Sequence, residues 1–240
     1  MHTFKQPILK VENLTTGYGK KQVLFDISFE VNQSEIILLV GSNGSGKSTL
    51  LKTIYGILPQ WNNGKIVFAG ENVTGKSTSA LLDKGLIYVP QKNNLFEGLT
   101  VKENLEMAGL TLSRQLLKHR IEEALSTFAT LVPYLHQTPM KLSGGERQML
   151  SLAMVTLHLP KMILVDEPFT GLSPQNITLV INNLKSMNER NKITLLIVEH
   201  SIKECLSIAT KVIGLKLGNI FSEIQVNSSF NIADLKSVFI

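Results

Sequence analysis

The chain has 240 residues, 43% of them hydrophobic and 18% charged, with 24 basic against 19 acidic side chains for a net charge of +5. That mix excludes a disordered or fibrous chain and favours one α/β domain, or one domain carrying a smaller subdomain. The charge is mild and its Lys and Arg residues are scattered without a basic block, so it singles out neither nucleic acid nor acidic lipid as a partner.

Residues 1–7 lack the apolar stretch and small-residue cleavage site of a secretory signal, so the protein is expected in the cytosol. Residues 8–14 and 23–31 alternate apolar with polar side chains around a turn at Gly17, Tyr18, Gly19 and Lys20, the pattern of half-buried antiparallel strands. Ile36–Val40 reads as a fully buried strand, followed by a glycine-rich segment and a helix over 48–58. Further strands are expected at Lys65–Phe68 and Leu86–Val89. From residue 101 to about 140, leucines, alanines and charges recur at helical spacing with Pro133 and Pro139 as breakers, which predicts a helical insertion. A helix over 145–158 and a buried strand over 162–165 come next. Pro174 opens an amphipathic helix over 174–190, with Ile177, Val180, Ile181, Leu184 and Met187 on one face. A strand over 193–198 precedes a hairpin predicted by the Gly218-Asn219 turn between 212–217 and 220–224.

The longest apolar runs fall far short of the roughly 18 to 20 residues of a membrane-spanning helix, so no part of the chain is expected to cross a bilayer. The single cysteine, Cys205, reads as a small packed hydrophobe. Strands alternating with helices imply a mostly parallel sheet covered by helices on both faces, and ligand sites in such sheets lie at the carboxyl ends of the strands.

The motifs fall in those places. Gly41, Ser42, Asn43, Gly44, Ser45, Gly46, Lys47 and Ser48 match G-x-x-x-x-G-K-[ST] between a strand and a helix. The glycines let backbone N–H groups curl around phosphate oxygens, Lys47 reaches the β and γ phosphates, and the Ser48 hydroxyl holds Mg²⁺. Gly70-Glu71-Asn72-Val73-Thr74-Gly75-Lys76-Ser77 satisfies the same expression. It carries Glu71 where phosphate would approach and no glycine in the place of Gly44, so it reads as an exposed strand-to-helix connection. An apolar run ending in Asp166 and Glu167 supplies the acids a phosphate loop needs: Asp166 to orient Mg²⁺ and Glu167 to polarise the attacking water.

Leu142-Ser143-Gly144-Gly145-Glu146-Arg147-Gln148, upstream of those acids, resembles the signature motif of ABC ATPases. The other elements of that family follow in order. Tyr18 lies where an aromatic stacks on adenine, Gln91 after Tyr88-Val89-Pro90 where the Q-loop lies, residues 170–174 where the D-loop lies, and His200 where the switch histidine lies. The resemblance spans residues 8–222. It implies a P-loop ABC ATPase fold, α/β, with an antiparallel β subdomain, a mostly parallel core sheet and a helical subdomain. The implied division is a nucleotide-binding core at 1–90 and 160–224, a helical and signature subdomain at 91–159, and a tail at 225–240.

The resemblance also implies roles. Lys47, Glu167 and His200 carry hydrolysis. Tyr18, the loop residues 41–48, Thr49, Gln91, Ser143, Gly144 and Gly145 bind ATP, with Ser48, Gln91 and Asp166 on the metal side. Ser143 and its glycines open a helix whose N–H groups face the γ-phosphate held by the other subunit, so two ATP molecules join a head-to-tail homodimer or heterodimer. The implied partners are a second ABC ATPase and integral-membrane permease subunits, with no nucleic acid, at the inner face of the cell membrane.

Residues 89–91, 99–105, 146–150 and 171–174 most resemble the subunits of branched-chain amino acid and urea uptake systems. Glu167-Pro168-Phe169 also resembles the ATPase of lipopolysaccharide export, and non-transport ABC ATPases form a third reading. Three positions depart from the family pattern. Residues 172–174 end in Ser-Pro where many members have an aspartate, Met154 stands where an Arg is common, and Ser34 replaces a common glycine. The last two are expected to weaken helix-surface contacts rather than chemistry.

Overall fold

Five consecutive apolar residues can be buried only where both faces of a strand are covered. In the computed structural model, which describes residues 6–92, 94–200 and 202–226, β3 (Ile36–Val40) is such a run, and it lies with β8 (Thr194–Val198) and β7 (Met162–Asp166), each apolar over four of its five residues, with every residue of the three strands buried. With β6 (Leu86–Val89), β9 (Lys211–Lys216) and β10 (Asn219–Gln225) they form a six-stranded sheet in the order β10-β9-β3-β8-β7-β6. All neighbours are parallel except the β9–β10 hairpin.

Alternation along β3 divides the core in two. Ile36, Leu38 and Val40 pack with helices α5 (Gly144–Thr156) and α6 (Pro174–Asn191) on one face. Ile37 and Leu39 pack on the other face against α1 (Lys47–Ile54) and an antiparallel sheet. That sheet has the order β2-β1-β4-β5, built from β1 (Leu9–Tyr18), β2 (Lys21–Val31), β4 (Lys65–Phe68) and β5 (Glu71–Asn72). Each fully buried Val, Leu or Ile contributes about 1.5–3 kcal/mol, so the central strands fix the positions of the loops at their ends.

Between β6 and β7 the chain makes α3 (Val101–Ala108), α4 (Arg114–Thr127), two 3₁₀ turns at Ala129–Tyr134 and Pro139–Lys141, and then α5. Pro133 lies within the first 3₁₀ turn and Pro139 starts the second. Thr100 with Glu103, and Ser143 with Glu146, form capping boxes that start α3 and α5. Two short helices not anticipated from periodicity, α2 (Thr78–Asp83) and α7 (Ile202–Cys205), complete the described elements.

Several expectations need correction. The helix after the glycine-rich loop stops at Ile54 rather than residue 58, because Gly56 turns left-handed at φ 73. Tyr18 ends strand β1 instead of lying in the turn. Met154 is no surface residue: it is 8% exposed and packs in the helical-side core. Ser34 sits at φ 62, which is the physical reason a glycine is common there. Its N–H donates to Thr194 Oγ1 at 3.0 Å and its hydroxyl to Lys192 O at 3.3 Å. Cys205 is buried as expected, and burial pushes its thiol pKa up. Residues 1–5 and, from residue 227 on, the tail at 225–240 lie outside the described residues.

Candidate active site

The adjacent strands β3, β8, β7 and β6 run parallel, so their carboxyl ends share one edge of the sheet. There β3 leads into the glycine-rich loop, β6 towards Gln91, β7 into Asp166 and Glu167, and β8 into Glu199 and His200.

Gly46 turns the loop into α1 at φ 107, a conformation that favours glycine, and a Cβ there would come within 2.5 Å of Leu24 Cδ2 and have to displace it. No side chain caps α1, which leaves its first N–H groups and its dipole open to an anion. Lys47 is 5% exposed and its Nζ donates to the carbonyls of Gly41 at 2.8 Å and Ser42 at 3.1 Å. Burial lowers its pKa, and the charges of Glu167, Asp166 and Glu199 oppose that shift.

Period-two alternation along β7 puts Asp166 on the same face as Met162 and Leu164, the face that α1 covers. Ser48 Oγ donates to Asp166 Oδ1 at 2.9 Å, and the Tyr88 hydroxyl, from β6, donates to Oδ2 at 2.9 Å. Burial pushes the Asp166 pKa up against those two bonds, and burial with the nearby Asp166 charge pushes Tyr88 up as well. Hydroxyl plus carboxylate is an all-oxygen donor pair, which fits Mg²⁺ with substrate phosphates completing its shell.

Glu167 stands at φ 48, and its N–H donates to Val198 O at 2.9 Å. Its Oε1 lies 3.0 Å from His200 Nε2. Its Oε2 accepts from Thr170 Oγ1 at 3.1 Å and from Gln91 Nε2. Gln91 is therefore placed on Glu167, with its other hydrogen bond to Thr170, rather than on the Ser48–Asp166 pair. Tyr18 is 48% exposed, and its hydroxyl is 3.5 Å from Thr49 Oγ1 at the start of α1.

The signature residues lie apart from this cluster. Among the described residues no hydrogen bond joins Ser143, Gly144 or Gly145 to the loop at 41–48. Ser143 caps α5 and is exposed, as is Gly144. Gly145 is buried against α6, where a Cβ would come within 2.6 Å of Asn176 Cγ. Ser173, in the segment read as the D-loop, caps α6 by accepting from Asn176 N–H at 3.4 Å. Tyr88 and Glu199 join this candidate site although motif reading gave them no role, and Thr170, read only as the start of the D-loop, meets Glu167 and Gln91. Only the place of Glu199, next to His200 at the end of an apolar run, offered a signal in the sequence.

The model of the ABC transporter family matches residues 24–170, more than half of the chain. The protein belongs to the ABC transporter ATPase family. Among its relatives, the probable branched-chain amino acid transport ATP-binding protein LivF of Archaeoglobus fulgidus is 35% identical over 84% of this chain and 85% of its own length. The lipopolysaccharide export system ATP-binding protein LptB of Haemophilus influenzae is 31% identical over 97% of both chains. A solved ATP-binding cassette of an ABC transporter in its ADP conformation superposes with a TM-score of 0.84 at 26% identity, covering 92% of this chain and 91% of that one. ABC ATPases bind and hydrolyse ATP to power transport, so this chain is an ATP-hydrolysing transporter subunit. Such subunits dimerise and work with membrane permease components. No helix among the described residues is long and apolar enough to cross a membrane itself.

Proposed function

We propose that the protein is the ATPase subunit of an uptake system for branched-chain amino acids or a similar small polar solute, acting on the cytoplasmic face of the cell membrane as a homodimer or beside a second ABC ATPase. The observation that carries the catalytic part is the meeting of Lys47, the Ser48–Asp166 pair and the Glu167–His200 pair at neighbouring strand ends. The 35% identity to LivF, with the motifs at 89–91, 99–105 and 146–150, supports the solute class.

In this reading the loop at 41–48 and the open end of α1 cradle the phosphates of ATP. Lys47, held now by two carbonyls, turns its ammonium to the β and γ phosphates. Ser48 and Asp166 hold Mg²⁺, whose charge when bound offsets that of the phosphate oxygens. Glu167 is the general base for water, and His200 orients it from the adjacent strand end. Gln91 and Thr170 hold the other oxygen of Glu167, and one of those bonds yields where water enters. Tyr18 stacks on adenine, with Thr49 beside it. Ser143, Gly144 and Gly145, exposed or at the start of α5, serve the γ-phosphate bound by the other subunit. Residues 1–90 and 160–224 then form the nucleotide-binding core and 91–159 the segment that meets the permease, with 225–240 as a tail.

The likeness to LptB over nearly the whole chain, with Glu167-Pro168-Phe169, supports lipopolysaccharide export as the second reading. One experiment addresses both. A tagged Glu167→Gln chain is expected to lose at least about 99% of its ATPase rate and to form an ATP-dependent dimer by size. Its detergent-solubilised complex is expected to carry uptake-type permease subunits. Export permeases would support the second reading, and ribosomal or DNA-repair proteins with no permease would discard transport.

A further inference from the structure

Glu199 follows β8, a strand whose five residues are all buried, and is itself only 3% exposed although it carries a carboxylate. Such a group is retained only where donors and opposite charge offset its desolvation. Its Oε1 accepts from the Phe169 N–H at 2.7 Å, and its Oε2 from the His200 N–H at 2.9 Å. The Lys47 ammonium also feels its charge. One side chain thus ties the loop after β7 to the loop after β8, the two loops whose side chains Glu167 and His200 meet at 3.0 Å.

The Glu167 turn needs such support. At φ 48 a residue with a Cβ is strained, and strain of this kind persists only where surrounding contacts over-determine it. The Glu167 N–H is pinned to Val198 O, and two residues on the Phe169 N–H is pinned to Glu199. We infer that Glu199 is a positioning residue for hydrolysis: its carboxylate sets the Glu167 turn against His200. It acts without touching nucleotide or water, and the inference rests on the roles proposed above for Glu167 and His200. The chemistry requires a carboxylate because two N–H groups need two acceptor oxygens. Glutamine offers one oxygen and sets an NH₂ against the second N–H.

The test is a double-mutant cycle on the purified full chain, reading kcat and KM for Mg·ATP, with folding checked by thermal melt. Glu199→Gln is expected to lower kcat at least about tenfold while KM stays within about twofold. Added to Glu167→Gln it is expected to cause no further loss, since the base it positions is already gone. Glu199→Asp keeps two acceptor oxygens on a shorter stem and is expected to fall between wild type and Glu199→Gln; it carries the same cycle if the Gln variant does not fold. A folded Glu199→Gln chain with kcat within about twofold of wild type, or an equal loss in both backgrounds, overturns the inference. A Glu167→Gln chain that hydrolyses ATP at the normal rate overturns the site reading beneath it.

Discussion

Residues 41–48 and 70–77 satisfy one pattern of residue types, yet the two serines at their ends do opposite things. Ser48 lies inside the first turn of α1 and turns its hydroxyl to Asp166 Oδ1, and the N-cap position is Gly46, which has no side chain to cap with. Ser77 turns back and caps α2, accepting from the Ala80 N–H at 3.3 Å. An uncapped N-terminus keeps its N–H donors open to an anion, whereas a capping side chain occupies one of them. The preceding strands decide the rest. β3 is central and buried, so its loop must emerge at the sheet's carboxyl edge among the ends of β7 and β8. β4 lies next to the short edge strand β5, and residues 71–72 of the second copy are used up as that strand. Gly44 takes φ 80, while Val73 in the corresponding place is buried and donates its N–H to Ile66 O. In the proposed reading, a pattern of residue types therefore specifies phosphate binding only together with the strand that feeds it.

The largest expected effect separates the two lysines. Lys47→Ala should lower the ATPase rate at least about a hundredfold, the scale for removing one donor to developing charge, while the exposed Lys76→Ala stays within about twofold of wild type. A severe loss at Lys76 would break the comparison. The serines sharpen it, because their losses should fall on different properties. Ser48→Ala should cost about 10- to 100-fold in activity or in apparent Mg²⁺ affinity, with little change in stability. Ser77→Ala should leave the rate alone and cost about 1 kcal/mol for the lost cap, or about 2–4 °C in Tm.

Much of this was legible in the residues, and what was not follows from physical causes. Ile36–Val40, Lys65–Phe68 and Leu86–Val89 have the predicted bounds because apolar runs bracketed by glycine or polar residues leave no choice of register. α2 escaped periodicity because only Leu81 of its six residues is buried, although Ser77 was a usable cap signal. The loop lysine and the two acids could be singled out as candidates because the chemistry proposed for them is tied to local spacing. Tyr88 and Glu199 could not be found in that way. They act through partners 78 and 30 residues away, and those contacts exist only once β6, β7 and β8 are side by side. Gln91 was singled out by resemblance for the metal side, and its bond to Glu167 depends on the same pairing of strand ends.

The smallest expected effects are those on stability in acid, where the carboxylate that partners the first copy and the one within the second have opposite signs. Asp166, which partners Ser48, is 4% exposed, and burial raises its pKa above the ordinary 3.8. A carboxyl whose pKa is raised on folding destabilises the protein wherever it is ionised. That cost is absent below pH 3.8, grows as pH rises through the folded pKa, and is constant above it. Asp166→Asn should therefore abolish hydrolysis yet raise stability at neutral pH, since the hydroxyls of Ser48 and Tyr88 can bond an amide. The gain should vanish as pH falls towards 3.8. Glu71, within the second copy, is exposed, and the Lys84 ammonium at 2.6 Å holds its pKa below the ordinary 4.5. Its contribution is present above pH 4.5 and lost as pH falls through the lowered value, so Glu71→Gln should cost a little stability at neutral pH and nothing in strong acid. Urea unfolding of the three proteins between pH 3 and pH 8 reads both signs, and a stability loss for Asp166→Asn at neutral pH would mean that the carboxylate stabilises the folded chain.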